Sequence, residues 1–312
     1  MKMKKVLVTG AAGTLGSLVL KYLLSEGKYE ITALDLRTKN SQKKLKKYRR
    51  RINIIYGDLN DNVLMDALVK DQDYIIHLAG VLPPLADIKK GLAEKIEFDG
   101  TTNMIKAINF YNPDCTLIYA SSTTIYGDKE TASVKDKPNI LDIDYYSKTK
   151  YKVENLISKK LKNYIIIRFP LILCNPKYNS FMYNIPRNKK IEAITDNDAA
   201  YLLAGTIDKS KELNKKVWNA GGGEPCTSTS NDILANVLSI YGFSFSYLFN
   251  LLFIDKNFYG STYKDSNDLD RIVEFRSDSL SSYYMRLKRN TKNRNIARIF
   301  AKPFILFLKR GK

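Results

Sequence analysis

The sequence predicts an α/β protein, a doubly wound parallel sheet followed by a smaller C-terminal lobe. Three observations predict it. Short apolar runs alternate with segments of helical period through the first half, which is the pattern of strands joined by crossover helices. A glycine-rich loop spanning residues 10–16 stands between the first such run and the first such helix. Beyond Pro170 the alternation breaks, with Pro176, Pro186 and Pro225 interrupting it, and that change marks a second lobe.

Taken in order, Val6-Leu7-Val8 forms the first strand and residues 15–24 the first helix. Between them Gly10, Gly13 and Gly16 are spaced G-x-x-G-x-x-G around Thr14 and Leu15. The first glycine allows a sharp turn off the strand, and the second admits a pyrophosphate close to the backbone. The third lets the helix pack on the sheet with its N-terminal amides facing the anion. Ile31-Thr32-Ala33-Leu34 is the second strand and ends in Asp35, nineteen residues after Gly16. A carboxylate there accepts hydrogen bonds from the adenosine ribose and repels a 2′-phosphate, which favours NAD. Arg37, two residues on, could accommodate that phosphate and keeps NADP as the alternative.

The third strand is Asn53-Ile54-Ile55-Tyr56, then a helix over 61–69, then Tyr74-Ile75-Ile76-His77-Leu78 as the fourth strand. A helix over 100–109 leads to a strand over 116–122, the next helix carries Tyr146 and Lys150, and 164–168 is the sixth strand. Residues 216–219 could return a further strand to the sheet. The expected division is a dinucleotide-binding domain over 1–170 and a mostly substrate-binding lobe over 171–312. Within that lobe, segments at about 191–220 return to the core and the chain ends in a basic tail.

Composition narrows the class. Hydrophobic residues make up 44% of 312 positions, which suits a globular chain with ample core. Cys115, Cys174 and Cys226 follow no disulfide or metal spacing, so buried thiols in a reducing cytoplasm are expected. The chain enters a strand at once, without the pattern of a secretory signal. Residues 233–254 carry no charge, but Gly242 and several polar residues split them, and a buried helix ending near Tyr241 is expected rather than a membrane span. The net charge is +19, yet residues 39–51 hold eight basic side chains and 279–312 hold ten, with no acid in either. The body is therefore nearly neutral, and neither basic segment carries a stacking or groove-reading module, which argues against nucleic acid. The first reads as a solvated helix or loop, and it could also sit near the adenosine end of the cofactor. The tail, with apolar residues beside Lys and Arg over 295–310, fits either a final packed element or peripheral contact with an anionic membrane.

Tyr146 and Lys150 stand four residues apart on one helix face. Oxidising a carbinol by hydride transfer needs a base at the hydroxyl, and a free phenol with a pKa of about 10 is a poor one. A neighbouring ammonium and an oxidised nicotinamide stabilise the phenolate, and reaching neutrality takes roughly 4 kcal/mol. Tyr145 does not share the spacing, because Thr149 lies four positions beyond it. No Cys/His/Asp cluster supports a metal site, and the lone histidine, His77, reads as structural.

These motifs together resemble the extended short-chain dehydrogenase/reductase family, of the NAD-dependent epimerase/dehydratase type, over roughly residues 4–242. The resemblance implies a Rossmann domain. It assigns Gly10, Gly13 and Gly16 to the dinucleotide loop, Asp35 to the ribose, and Asp58 and Leu59 to adenine. Leu78, Ala79 and Gly80, in His77-Leu78-Ala79-Gly80, resemble the H-L-A-A strand end along the cofactor. Ser122, in Tyr119-Ala120-Ser121-Ser122, falls on the catalytic Ser or Thr, with Tyr146 as base and Lys150 as its partner. Arg168-Phe169-Pro170 enters the nicotinamide-side loop, which assigns Phe169 and Pro170 to the cofactor, and Val217 to Gly223 resembles the V-x-N-x-G-G-G stretch. Two places depart from the pattern. The usual Asn-x-x-Gly-Thr is Glu97-Phe98-Asp99-Gly100-Thr101, and residues 170–176 lack the usual Asn and Tyr-Gly. Dehydratases of the family carry Glu or Asp after the catalytic Thr, where this chain has Thr123 and Thr124.

The expected activity is a sugar-nucleotide epimerase working by transient oxidation. The alternatives are a net NAD(P)-dependent reductase or dehydrogenase of a keto-sugar nucleotide or another small carbonyl, and a non-catalytic nucleotide-binding protein. Related enzymes often pair through helices flanking the site, so a homodimer is an expectation.

Overall fold

Seven parallel strands form the central sheet, in the spatial order β11-β7-β5-β4-β1-β2-β3. The structure, a computed structural model, describes residues 3–83, 85–142, 144–174, 188–241 and 260–291. In chain order the strands are β1 Lys4–Thr9, β2 Tyr29–Asp35, β3 Asn53–Tyr56, β4 Tyr74–His77, β5 Thr116–Ser122 and β6 Thr131–Ala132. They continue with β7 Tyr164–Phe169, β8 Ile172–Leu173, β9 Lys190–Glu192, β10 Ile194–Thr195, β11 Lys216–Asn219, β12 Thr227–Thr229 and β13 Thr262–Tyr263. The helices that matter most are α1 Thr14–Glu26, α2 Lys39–Leu45, α3 Asn62–Val69, α4 Leu85–Ile88, α5 Lys90–Ala93, α6 Gly100–Tyr111, α7 Tyr145–Lys160 and α8 Asp196–Gly205.

Strand period and helix period meet on both faces of the sheet. Val6 and Val8 point into the layer that also buries Leu20 and Leu23 of α1 and Leu202 and Leu203 of α8. Leu7 points the other way, with Met65 of α3, Met104 and Ile108 of α6, and Val153 and Ile157 of α7. Burial on both faces explains why these strands are continuous apolar runs rather than alternating ones. β11 closes the β7 edge, with Val217 opposite Ile166.

The order reverses beside β1, whose neighbours are β2 on one side and β4 on the other. Such a switch point opens a crevice at the carboxyl ends of the strands, where ligands of this architecture bind. The basic stretch that begins at Lys39 is helical. Thr38 and Ser41 form a reciprocal cap on α2, while Leu45 and Tyr48 are buried. Outside the sheet the described residues make short pairs, β8 with β10, β9 with β12, and β6 with β13. The uncharged stretch begins in a helix, Ser230–Ile240, and Tyr241 follows it. Its remainder, the basic tail over 295–312, and Asn175, Pro176 and Pro186 lie outside the described residues. Among those described, no helix is long and apolar enough to cross a membrane.

Candidate active site

The glycine loop leaves β1 at the crevice. Gly10 has φ +65°, and a Cβ there would stand 2.8 Å from the Ala79 nitrogen and 2.9 Å from the Leu78 carbonyl. Gly16 lies against the Gly10 carbonyl just as closely, so β1, the loop and the end of β4 pack backbone to backbone. Helix α1 begins after Gly13 with no side-chain cap and no acid in its first turn. Its amides and dipole therefore stay open to an anion. Gly13 and Thr14 are exposed there, and Leu15 is half-buried. Asp35 Oδ2 accepts the Ala12 amide at 2.8 Å, which ties the acid at the end of β2 to the loop. Arg37 is exposed and packs over the Tyr56 ring at 5.6 Å.

Thr9 Oγ1 receives the Leu78 and Ala79 amides at 3.2 and 3.3 Å, fixing the strand end that includes Gly80. Asp58 is exposed and bonded to Asn60. Leu59 is buried, and its side chain fills the space where a Cβ on Gly100 would sit, 2.8 Å from its own Cβ. This loop, helix terminus and acid fit a dinucleotide. Gly10, Gly13 and Gly16 would admit its pyrophosphate, and Asp35 would face its ribose.

The second half of the crevice holds the titratable groups. Ser122 ends β5, and Tyr146 and Lys150 lie one turn apart on α7, which Asp144 caps through the Ser147 amide at 2.9 Å. All three side chains are buried. Ser122 Oγ accepts from the Thr124 amide at 3.2 Å and the Thr124 hydroxyl at 2.9 Å, and that hydroxyl accepts from Ser147 at 2.6 Å. With its oxygen occupied twice, Ser122 has its own proton left to donate.

The Lys150 ammonium lies 5.8 Å from the Tyr146 ring centre. It donates to Glu97 at 2.6 Å and to the Ala120 carbonyl at 2.9 Å. Burial raises the Tyr146 pKa, Lys150 and the Ser122 hydroxyl lower it, Glu97 raises it, and the net direction is upward. For Lys150, burial acts to lower the pKa, but Glu97 and Tyr146 outweigh it and the net shift is upward. The lysine therefore stays an ammonium, and the phenol needs a further positive charge before it ionises near neutrality.

Glu97 is the residue whose part the sequence alone does not assign. It sits in a π-helical turn, Glu94–Asp99, and also accepts from Tyr119 at 2.8 Å. The replacement of Asn by Glu signals a change there but does not reveal the ion pair. Behind the site, Glu154 takes Ser121 at 2.5 Å and binds Arg168 twice, at 2.9 and 2.6 Å. Arg168 also donates to Tyr126 at 2.8 Å, which donates to Asn219 at 2.7 Å. This chain joins β5, α7, β7 and β11. Phe169 and Pro170 are buried at the end of β7, where the Phe169 carbonyl accepts from Thr123 at 3.3 Å.

His77 is held between Thr9 at 2.7 Å and Thr101 at 2.9 Å, and burial pushes its pKa down to about 4. It is a neutral brace. Cys115 and Cys226 are buried and Cys174 is half-buried, all as free thiols. Among the described residues no group of three His, Cys, Asp or Glu is placed to hold a metal ion.

The profile of the NAD dependent epimerase/dehydratase family matches residues 6–177. CDP-paratose 2-epimerase of Salmonella typhi is 30% identical over 161 residues, 46% of this chain and 48% of that protein. dTDP-glucose 4,6-dehydratase of Mycolicibacterium smegmatis is 28% identical over 187 residues, 57% of this chain and 55% of that protein. The matches thus span about half the length of these curated relatives. The structure of UDP-glucuronic acid 4-epimerase from Bacillus cereus, in complex with UDP-glucuronic acid and NAD, superposes with a TM-score of 0.73. That likeness covers 92% of this chain and 99% of that one at 20% identity, which shows the fold.

Proposed function

Because the chain belongs to the NAD dependent epimerase/dehydratase family, we propose that it is an NAD-using epimerase of a nucleotide-linked sugar. The observation that carries the reading is the meeting of Ser122, Tyr146 and Lys150 at the carboxyl end of β5, on the same edge of the parallel sheet as the glycine loop that follows β1. NAD, when bound, supplies a hydride acceptor and the positive charge that the buried phenol needs. Tyr146 then removes the proton from a sugar hydroxyl, and Ser122 donates to that oxygen and holds it against the phenol. Lys150 stabilises the phenolate. After the carbonyl has turned its other face, the hydride would be given back to its carbon while Tyr146 returns the proton to its oxygen.

The positions after Ser122 argue against dehydration. Thr123 is engaged by the Tyr263 hydroxyl at 2.8 Å and bonds the Phe169 carbonyl, while Thr124 bonds Ser122 and Ser147. Neither position offers the carboxyl group that removes water in the family's dehydratases. Asp35 supports NAD over NADP. The segment beyond residue 170 is the proposed sugar side, and the relatives' names point to CDP-, dTDP- or UDP-linked sugars as the first substrates to try.

The test is incubation with such a panel, reading epimer formation by chromatography and nicotinamide reduction by absorbance. An epimer with no net reduction supports the proposal. Stoichiometric reduction would replace it with a dehydrogenase.

A further inference from the structure

Glu97 stands where the family's Asn-x-x-Gly-Thr has asparagine, and Gly80 closes the His77-Leu78-Ala79-Gly80 strand end. The fold brings them into contact. A Cβ on Gly80 would enter the space of the Glu97 carboxylate, meeting Oε2 first, with Cδ at 3.1 Å and Oε1 at 3.3 Å. The carboxylate admitted there reaches Lys150 at 2.6 Å and Tyr119 at 2.8 Å. The Lys150 and Glu97 side chains are only 9% and 3% exposed. Such a pair, once half removed, leaves a buried charge without a counter-ion.

We propose that Glu97 is a positioning residue, admitted by the missing Cβ of Gly80, which clamps Lys150 in a neutral buried pair behind Tyr146. The inference rests on the catalytic reading above. The clamp fixes the ammonium against the Ala120 carbonyl and 4.8 Å from the Tyr119 ring centre. It also offsets part of the lysine's pull on the phenol, since a negative charge nearby disfavours the phenolate.

The other groups facing the pair have partners of their own. On α7, Glu154 is held by Arg168 of β7 and Asp144 caps the helix. Glu94, in the same turn as Glu97, is paired with Lys152. Asp87 of α4 accepts the Tyr146 amide at 3.1 Å, His77 of β4 is neutral, and Tyr119 of β5 donates to Glu97 itself.

Two measurements test the clamp without turnover. Carbon-labelled tyrosine NMR with NAD added reads Tyr146 ionisation, each protein being compared with its Tyr146→Phe counterpart. Glu97→Gln keeps an acceptor and removes the charge, so Tyr146 is expected to ionise about one pH unit lower than in the wild type. An unchanged or upward-shifted titration overturns the proposal. In thermal melts, Gly80→Ala is expected to lower Tm or to yield no soluble protein, and adding Glu97→Asn, one methylene shorter, is expected to restore it. A Gly80→Ala protein that melts like the wild type, or one that Glu97→Asn fails to rescue, also overturns it. Failure of the catalytic reading would show separately, as full turnover in Tyr146→Phe.

Discussion

Replacing Gly10 by alanine disturbs the cofactor loop in two ways. At φ +65° the backbone is left-handed, which costs an L-residue about 1–2 kcal/mol. The new Cβ would also meet the Ala79 nitrogen at 2.8 Å and the Leu78 carbonyl carbon and oxygen at 2.9 Å. These are main-chain atoms that no rotamer change can move, so the β1 and β4 ends must separate, at about 1–3 kcal/mol by analogy with overpacked cores. The sum is about 2–5 kcal/mol, or, at about 2.1 cal/mol/K of unfolding entropy per residue over 312 residues, a fall in Tm of roughly 3–8 °C. Thermal melts with and without NAD read both consequences. In the wild type, NAD at about a hundred times its Kd should stabilise by about 2.7 kcal/mol, and Gly10→Ala should lose most of that. A variant with the wild-type Tm and an undiminished NAD shift would refute the reasoning.

Two further predictions concern the buried polar groups. Arg168→Met leaves Glu154, whose side chain is 4% exposed, without its counter-ion, and urea unfolding should show a loss of about 3–5 kcal/mol. Adding Glu154→Leu should recover much of it, and equal losses in the single and double variants would contradict the pairing. His77 has a folded pKa of about 4 against 6.5 for the free group, so the unfolded chain takes up the proton first. Its contribution is complete above pH 6.5 and declines as pH falls towards 4, by up to about 3 kcal/mol. His77→Gln should be less sensitive to pH across that window, and parallel stability curves for the two proteins would show the imidazole to be exposed.

The sheet was legible because burial on both faces leaves a plain mark, a short apolar run bounded by polar turns. The run over 116–122 matches the buried β5 to the residue, and the run over 53–56 matches β3, a half-buried edge strand, equally well. The helix expected over 61–69 starts one residue later because Asp61 caps it, accepting the Leu64 amide at 3.0 Å. Tyr146 and Lys150 were legible for a similar reason, since four-residue spacing on a helix fixes a shared face. Pairing between distant elements carries no such period. Glu97 meets Lys150 across 53 positions, and Tyr126 meets Asn219 across 93. Only the folded sheet brings either pair together. The two- and three-residue strands β8, β9, β10, β12 and β13 are too short to show alternation, so proline breaks alone marked that region.

The most direct measurement compares Tyr146→Phe with the wild type on whichever nucleotide sugar the panel shows to be converted, with NAD-dependent Tm measured in parallel. Loss of the phenolic proton acceptor should slow epimer formation by about a hundredfold or more, with the NAD shift retained. Undiminished turnover in a correctly folded, NAD-binding Tyr146→Phe protein would contradict the account.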